Sequence, residues 1–371
     1  MRLHLTAYPH THTTAEYSTC AYTSKIVKFC RMMEPRGHEL YLYAGEHNDA
    51  PCHEHIPIIT EPERRAWFGK GFDTVHYGQF NWNPDSEWWN TYTQRTAAAI
   101  LQRWQPGDLI LLNQGLAHKP IIDRLAILNP AYCEPGVGYE GIFSDRCAYE
   151  SNAWRHWLYG KLGIGDGAAR PGDTVIPNYF DPDDFPHLNP GGHDRLLFLG
   201  RITKRKGPHI AAAVAHRAGM RLTLAGPGVI SHTYNRYVAD DVVIEGDHID
   251  HVGQVNPDER AQLLADHAAV IVPTLYIEPF GGAAVEAMMA GTPVIAADYG
   301  AFTETVTPEV GRRFTTLEDA EQAVEDVRDL DPTDIRYHAY ARYSLEAVAP
   351  MFERWFTSSA FNAAVSDGVT V

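Results

Sequence analysis

Glu278-Pro279-Phe280-Gly281-Gly282-Ala283-Ala284-Val285-Glu286 is the stretch that decides how this chain is read. The apolar run Ala268-Ala269-Val270-Ile271-Val272-Pro273 before it reads as a strand, and Ala287-Met288-Met289-Ala290, closed by Gly291-Thr292-Pro293, reads as a helix. One carboxylate then stands in the loop at a strand's carboxyl end, and the other about two turns into the next helix. The two glycines between them let the backbone approach a ligand with no Cβ in the way. The helix start offers free N–H groups to an anion. Ionised carboxylates only accept hydrogen bonds, which suits hydroxyl-rich ligands. A phosphate beside sugar and ribose hydroxyls describes a nucleotide-sugar. A plain Pro/Gly turn that ends a strand and starts a helix is the other reading of the same residues.

Working outward, short apolar strand candidates alternate with helical patterns along the whole chain, which argues for doubly wound α/β domains. In the first half the strands are expected near Leu3–Ala7, Glu39–Tyr43, Leu109–Leu112 and Ala131–Glu134; in the second half near Leu196–Gly200, Leu222–Ala225, Val242–Glu245, Val270–Val272 and Val294–Ala297. Arg260 to Asp266 reads as a helix between two of them. The stretch Asn178–Asp194 is rich in Asp, Pro, Asn and Gly and reads as a linker. The expected domains are therefore 1–180 and 191–344. Ligands of open parallel sheets bind outside the carboxyl ends of the strands, and two such domains facing each other would form a cleft.

The 371 residues suffice for two domains, each with its own core, and 44% hydrophobic with 21% charged residues is a globular balance. No apolar run is long enough to span a bilayer, and Met1 to Thr6 reads as a first strand, not a signal peptide. Five scattered cysteines argue against a disulfide framework and for a reducing, cytoplasmic setting. The net charge of −16 disfavours non-specific binding to DNA or anionic lipid. The nineteen histidines read mainly as surface residues.

The residues from Val272 through Glu278 and Glu286 to Asp298 resemble the family 4 glycosyltransferases. So do Leu197-Phe198-Leu199-Gly200-Arg201 with Lys206-Gly207, the turn Leu224-Ala225-Gly226-Pro227-Gly228, and the linker Val175-Ile176-Pro177-Asn178. The similarity is strong over about 174–310 and weak before it. It implies a GT-B fold of two Rossmann-like domains across a cleft, with a last helix, about 345–371, crossing back to the first domain. It also implies retaining transfer of a sugar from a nucleoside-diphosphate donor, UDP by family frequency, to a hydroxyl acceptor. No carboxylate nucleophile is identifiable, which favours front-face displacement assisted by the leaving phosphate.

By the same resemblance Arg201 and Lys206 hold the diphosphate, Glu286 accepts from ribose hydroxyls and Glu278 from hydroxyls of the donor sugar. Phe280, Gly281 and Gly282 face the diphosphate or sugar; Gly253 and Val255, with Gln254 between them, clamp the base through their backbone; Gly226 shapes a tight turn near the donor. Glu304 matches a structural carboxylate. Fixed cations at the departing phosphate make a metal unnecessary, so neither metal nor cofactor is expected. Asp181-Pro182-Asp183-Asp184 reads as linker, and Cys52-His53-Glu54-His55 and His10-Thr11-His12 lack a third ligand.

The first half departs from the family. His10-Thr11-His12-Thr13-Thr14 stands where a glycine-rich loop is usual, and Asn113-Gln114-Gly115 where a histidine often ends the strand. His118 and Glu134 are the acceptor-side or catalytic candidates there, each equally readable as a satisfied polar residue. The aromatics Trp67, Phe68, Phe72, Tyr77, Phe80, Trp82, Trp88, Trp89 and Tyr92 read mostly as core, with a few available to stack on an acceptor. The acceptor stays open: a glycan, a small molecule, a lipid or a hydroxymethylated DNA base. A nucleotide-sugar epimerase and a non-catalytic binder of the same fold are the competing classes.

Overall fold

The computed structural model describes residues 1–17, 20–69, 83, 85–164 and 170–358. It divides into two compact units. Unit one holds Met1–Glu150, Trp157–Tyr179 and the chain from Val348; unit two holds Ser151–His156 and Phe180–Ala347.

Unit one is built on strands β1 (Arg2–Thr6), β2 (Glu39–Gly45), β3 (Glu54–Ile59), β4 (Leu109–Leu111), β5 (Ala131–Val137), β6 (Cys147–Tyr149) and β7 (Thr174–Val175). They form one sheet in the order β3-β2-β1-β4-β5-β6-β7. Every pairing in it is parallel. Sheet order reverses between β1 and β4. Helix Leu345–Thr357 contributes Phe352, edge-on to Phe29 at 5.5 Å, and Glu353, which takes Arg36 bidentately at 2.8 and 2.6 Å. Positions 359–371 of the expected last helix, and Phe72, Tyr77, Phe80 and Trp82, lie outside the described residues. Trp89 and Tyr92 are core residues, as their reading supposed.

Unit two carries β8 (Arg195–Leu199), β9 (Arg221–Ala225), an antiparallel trio β10 (Val229–Thr233), β11 (Arg236–Ala239) and β12 (Val243–Glu245), then β13 (Ile249–Gly253), β14 (Ala269–Val272), β15 (Val294–Ala297) and β16 (Gly311–Phe314). The main sheet is parallel in the order β13-β9-β8-β14-β15-β16. Its inner strands alternate between two cores with the period of two that a pleated strand imposes. Val270, Val272, Val294 and Ala296 join the core of helix Gly282–Met289, whereas Ala269, Ile271 and Ile295 join that of helices Pro208–Arg217 and Leu317–Asp326. A sheet covered on both faces needs such continuous apolar strands.

Three expectations shift. Val242–Glu245, expected as a strand, belongs to an antiparallel trio, and Ile249–Gly253, which was not expected, is an edge strand of the main sheet. The stretch Asn178–Asp194 is not a free linker: Phe180 and Phe185 lie in unit two's core, and Asn189 Nδ2 donates to His267 O and Thr292 Oγ1, each at 2.8 Å. The domain boundary moves accordingly, from 180–191 to Tyr179/Phe180. None of the five cysteines forms a disulfide, and among the described residues no helix is long and apolar enough to cross a membrane.

Candidate active site

In unit two the chain leaves β8 toward β9 and β13 on one side, while β14 leads to β15 and β16 on the other. That reversal opens a crevice beyond the carboxyl ends of β8 and β14. Two loops meet there, 200–207 and 273–281. Leu275 N donates to Arg205 O at 2.7 Å, which ties them together. Gly207 has φ +76°, and a Cβ on it would stand 2.1 Å from Pro273 O. Any other residue at 207 would push the two loops apart.

The tied loops bring Lys206 and Glu278 into contact. Lys206 Nζ donates to both carboxylate oxygens, at 3.1 and 2.8 Å. Tyr276 closes the group. Its ring lies 3.9 Å from the Arg205 guanidinium carbon and 5.1 Å from Lys206 Nζ, and its hydroxyl feels the Glu278 charge. Burial, and then the Glu278 charge, push the Tyr276 ionisation up, so it stays a neutral donor. Arg201 is exposed and makes no ion pair among the described residues. Helix Gly282–Met289 starts four residues after Glu278, and its first N–H groups have no partner within the helix. Arg205, Lys206 and a carboxylate thus stand around Tyr276, four residues of chain before a helix start.

Glu286 is the fifth residue of that helix, one turn in and not two, because the helix begins at Gly282. Its Oε1 lies 3.5 Å from Arg260 Nη1. Arg260 was not singled out in the sequence. The Asn256-Pro257-Asp258-Glu259 capping box, present in the structure, is the signal that places it on a helix's first turn. Tyr276 was missed as well; its only mark is an aromatic between a strand end and an acidic residue.

The remaining donor-side candidates act mainly on the fold in this structure. The Phe280 side chain is core, parallel to Phe180 at 6.2 Å and edge-on to Tyr343 at 5.6 Å, so its ring is spent on packing. Gly281 packs on Phe302, while a Cβ on Gly282 would meet only Phe180, 3.9 Å away. Gly226 has φ +141°, and a Cβ there would lie 2.0 Å from Gly200 O; it seats the turn after β9 on the turn after β8. Gly226 N donates to Gly253 O at 2.7 Å, which commits that carbonyl, and Val255 is half-buried beyond it. Glu304 caps Asn152–Leu162, accepting from Asn152 N at 3.0 Å and Ala153 N at 2.7 Å.

In unit one the two acceptor-side candidates are corrected. His118 and Glu134 are both fully buried and touch no solvent. His118 Nδ1 lies 3.0 Å from Thr6 Oγ1 and its ring stacks on Trp89 at 5.8 Å; burial lowers its pKa from 6.5 to about 3. Glu134 staples a loop, accepting from Phe143 N at 2.9 Å, Ser144 N at 2.8 Å and Tyr139 Oη at 2.6 Å. Burial raises its pKa against the pull of those donors. Histidines 4, 10, 12, 118, 267 and 338 are buried and not at the surface. Asp181 accepts from Asp183 N at 3.2 Å, a turn-capping role. Among the described residues no group of three or more His, Cys, Asp or Glu is placed to hold a metal.

Residues 180–344 match the family described as "Glycosyl transferases group 1", a span that lies within unit two and contains Arg201, Lys206, Glu278 and Glu286. An uncharacterized glycosyltransferase of Methanocaldococcus jannaschii is 34% identical over 124 residues, 31% of this chain and 30% of that protein. The chain thus spans about a third of the length of the first curated relatives it matches. AviGT4, a glycosyltransferase involved in avilamycin A biosynthesis, superimposes with a TM-score of 0.64 at 18% identity over 100% of this chain and 99% of that one. Anabaena HepE in complex with UDP-glucose does so with 0.60 at 15% identity over 95% and 98%. The fold is α/β with parallel sheets, that of the GT-B glycosyltransferases.

Proposed function

We propose that the chain is a retaining glycosyltransferase of family 4 that moves a sugar from a nucleoside-diphosphate donor, UDP-linked, to a hydroxyl acceptor. The observation that carries this is the meeting of Lys206 and Glu278 beside the start of helix Gly282–Met289, at the sheet reversal of unit two. Cations and helix N–H groups suit the charge that grows on a departing β-phosphate, and held in place they cost little reorganisation. Glu278 and Glu286, as acceptors, suit the hydroxyls of the sugar and the ribose. HepE, a structural neighbour, is known in complex with UDP-glucose, which supports a UDP-linked donor.

In the reaction the anomeric C–O bond to the β-phosphate breaks and the acceptor oxygen bonds to the same carbon from the same face. The acceptor proton passes to the leaving phosphate. Lys206, Arg201 and the helix start neutralise that phosphate, and on this reading no metal is needed. Calorimetry with UDP, followed by assay of UDP release from UDP-glucose and other nucleotide-sugars, tests the proposal. Binding of UDP that Lys206→Ala weakens, with sugar transfer from at least one donor, is the expected result. No nucleotide binding and no transfer with any donor would end it.

A further inference from the structure

Unit one holds a cavity of about 310 Å³ that none of the roles above uses. It sits beyond the carboxyl end of β4, where the sheet order reverses against β1, the place where open parallel sheets take ligands. Gln114, Leu116 and Ala117 reach it from the turn after β4, Tyr139 from the turn after β5, and Tyr22 from the start of helix Ala21–Met33. Trp89 supplies a further wall. The volume is at the lower end of that of small-molecule sites.

The walls are rings and aliphatic groups, and their polar atoms are largely spent inside the protein. Trp89 Nε1 donates to Ala117 O at 2.7 Å, Tyr139 Oη donates to Glu134 at 2.6 Å, and Leu116 N donates to Gly141 O at 2.7 Å. Asn83 Oδ1 accepts from Asp85 N at 2.9 Å. Gln114 Oε1 is buried with no hydrogen-bond partner. No Lys or Arg is among the described residues that line the space. Leu116 and Tyr22 nonetheless stand 54% and 38% exposed, large apolar side chains left uncovered at this cavity.

We infer that the cavity binds the acceptor, and that the acceptor is an uncharged, ring-faced alcohol or phenol. The word acceptor rests on the proposed transferase function; the ligand class rests on the cavity alone. An unsubstituted sugar brings several hydroxyls, and each one buried without a partner costs about 1–3 kcal/mol. Among the described residues that line the cavity the polar side-chain groups are few, the amides of Gln114 and Asn83 and the hydroxyls of Tyr22 and Tyr139, against many apolar atoms. A phosphorylated ligand finds no Lys or Arg among the described residues that line the cavity. A flat ring instead gains from the rings of Tyr22 and Tyr139, about 0.5–1.5 kcal/mol for each good aromatic pair.

The test uses 2-naphthol as the probe, followed by fluorescence and calorimetry, with methyl glucoside and glucose 1-phosphate as comparators. Naphthol should bind the wild-type protein saturably, and Leu116→Asp and Tyr22→Asp should each weaken it at least about tenfold. Both side chains are partly exposed, so the melting temperature should hold; if one variant fails to fold, the other decides. UDP affinity should be unchanged in both. Naphthol binding that is absent in the wild type, or equal in wild type and folded variants, overturns the inference, as does tighter binding of either comparator. If the wild type binds naphthol as expected but neither binds UDP nor transfers sugar, the transferase reading fails, and with it the acceptor role, while the ligand class stands.

Discussion

Lys206 Nζ lies 2.8 Å from Glu278 Oε2 and 3.1 Å from Oε1, so the two side chains assigned to phosphate and sugar are bonded to each other. On the proposed function a diphosphate competes with Glu278 for the ammonium group, and the carboxylate is released to accept from the donor's hydroxyls. Lys206→Ala and Arg201→Ala should each lower kcat/KM by roughly 2–4 kcal/mol of transition-state stabilisation. Steady-state kinetics with the nucleotide-sugar donor reads the effect. Near wild-type turnover in both variants would remove the phosphate clamp.

Tyr276 holds this pair from the side. Tyr276→Phe keeps the ring under Arg205 and Lys206 but removes the hydroxyl near the Glu278 charge. The expected loss in kcat/KM is at most about 1 kcal/mol, no more than that of one hydrogen bond. Tyr276→Ala should lose more, because the cation–π contacts go as well. Unchanged kinetics in Tyr276→Ala would show that Tyr276 takes no part.

Unit two was the more legible half because each step of it carries its own local mark. Gly200-Arg201 ends β8, Gly207 is forced by the Pro273 carbonyl, and Gly281-Gly282 opens a helix. Such marks come from close backbone approach, which only glycine tolerates. His118 and Glu134 have no mark of that kind. A polar residue after a strand looks the same in sequence whether it faces a ligand or a core partner, and only packing buried both. Strand β3 was missed because Glu54-His55-Ile56-Pro57 lacks an apolar run; it is an edge strand, where proline is tolerated. The exposed β10 and the three-residue β6 offered even less pattern.

On the proposed function Arg201 and Lys206 stand at the phosphates, and transfer is expected to need no metal. Transfer should survive EDTA without loss of rate. Full loss, restored by Mg²⁺ or Mn²⁺, would mean that the cations alone do not neutralise the leaving group.

His118 makes stability fall in acid. Its folded pKa of about 3 lies below the ordinary 6.5, so the neutral ring is what the fold holds. The stabilisation is fully present above pH 6.5 and drains away as pH falls toward 3, with a slope of at most about 1.4 kcal/mol per pH unit. His10, lowered to about 3, and His267, lowered to about 4, add to the same decline. His118→Phe keeps a ring against Trp89 and removes one titrating group. Urea unfolding at pH 7 and pH 5 should show a smaller loss in the variant. Equal losses would mean that His118 accepts its proton without unfolding.

The two glutamates should divide their labour between nucleotide and sugar. Glu286 lies inside helix Gly282–Met289 and leans on Arg260 at 3.5 Å, a position set whether or not a sugar is attached to the nucleotide. Glu278 precedes the glycine turn and is held by Lys206. Glu286→Gln should therefore weaken binding of free UDP, since a ribose contact exists with or without the sugar. Glu278→Gln should leave UDP affinity nearly unchanged, or raise it slightly by freeing Lys206, and should cut turnover of the sugar donor. Arg260→Ala, which unpins Glu286 but leaves its charge, should fall between wild type and Glu286→Gln in UDP affinity. Calorimetry with UDP beside kinetics with the donor separates these outcomes. Equal loss of UDP affinity in Glu278→Gln and Glu286→Gln would show that the two carboxylates serve the same end of the ligand, and the assignment of one to sugar and the other to ribose would be wrong even in an active transferase.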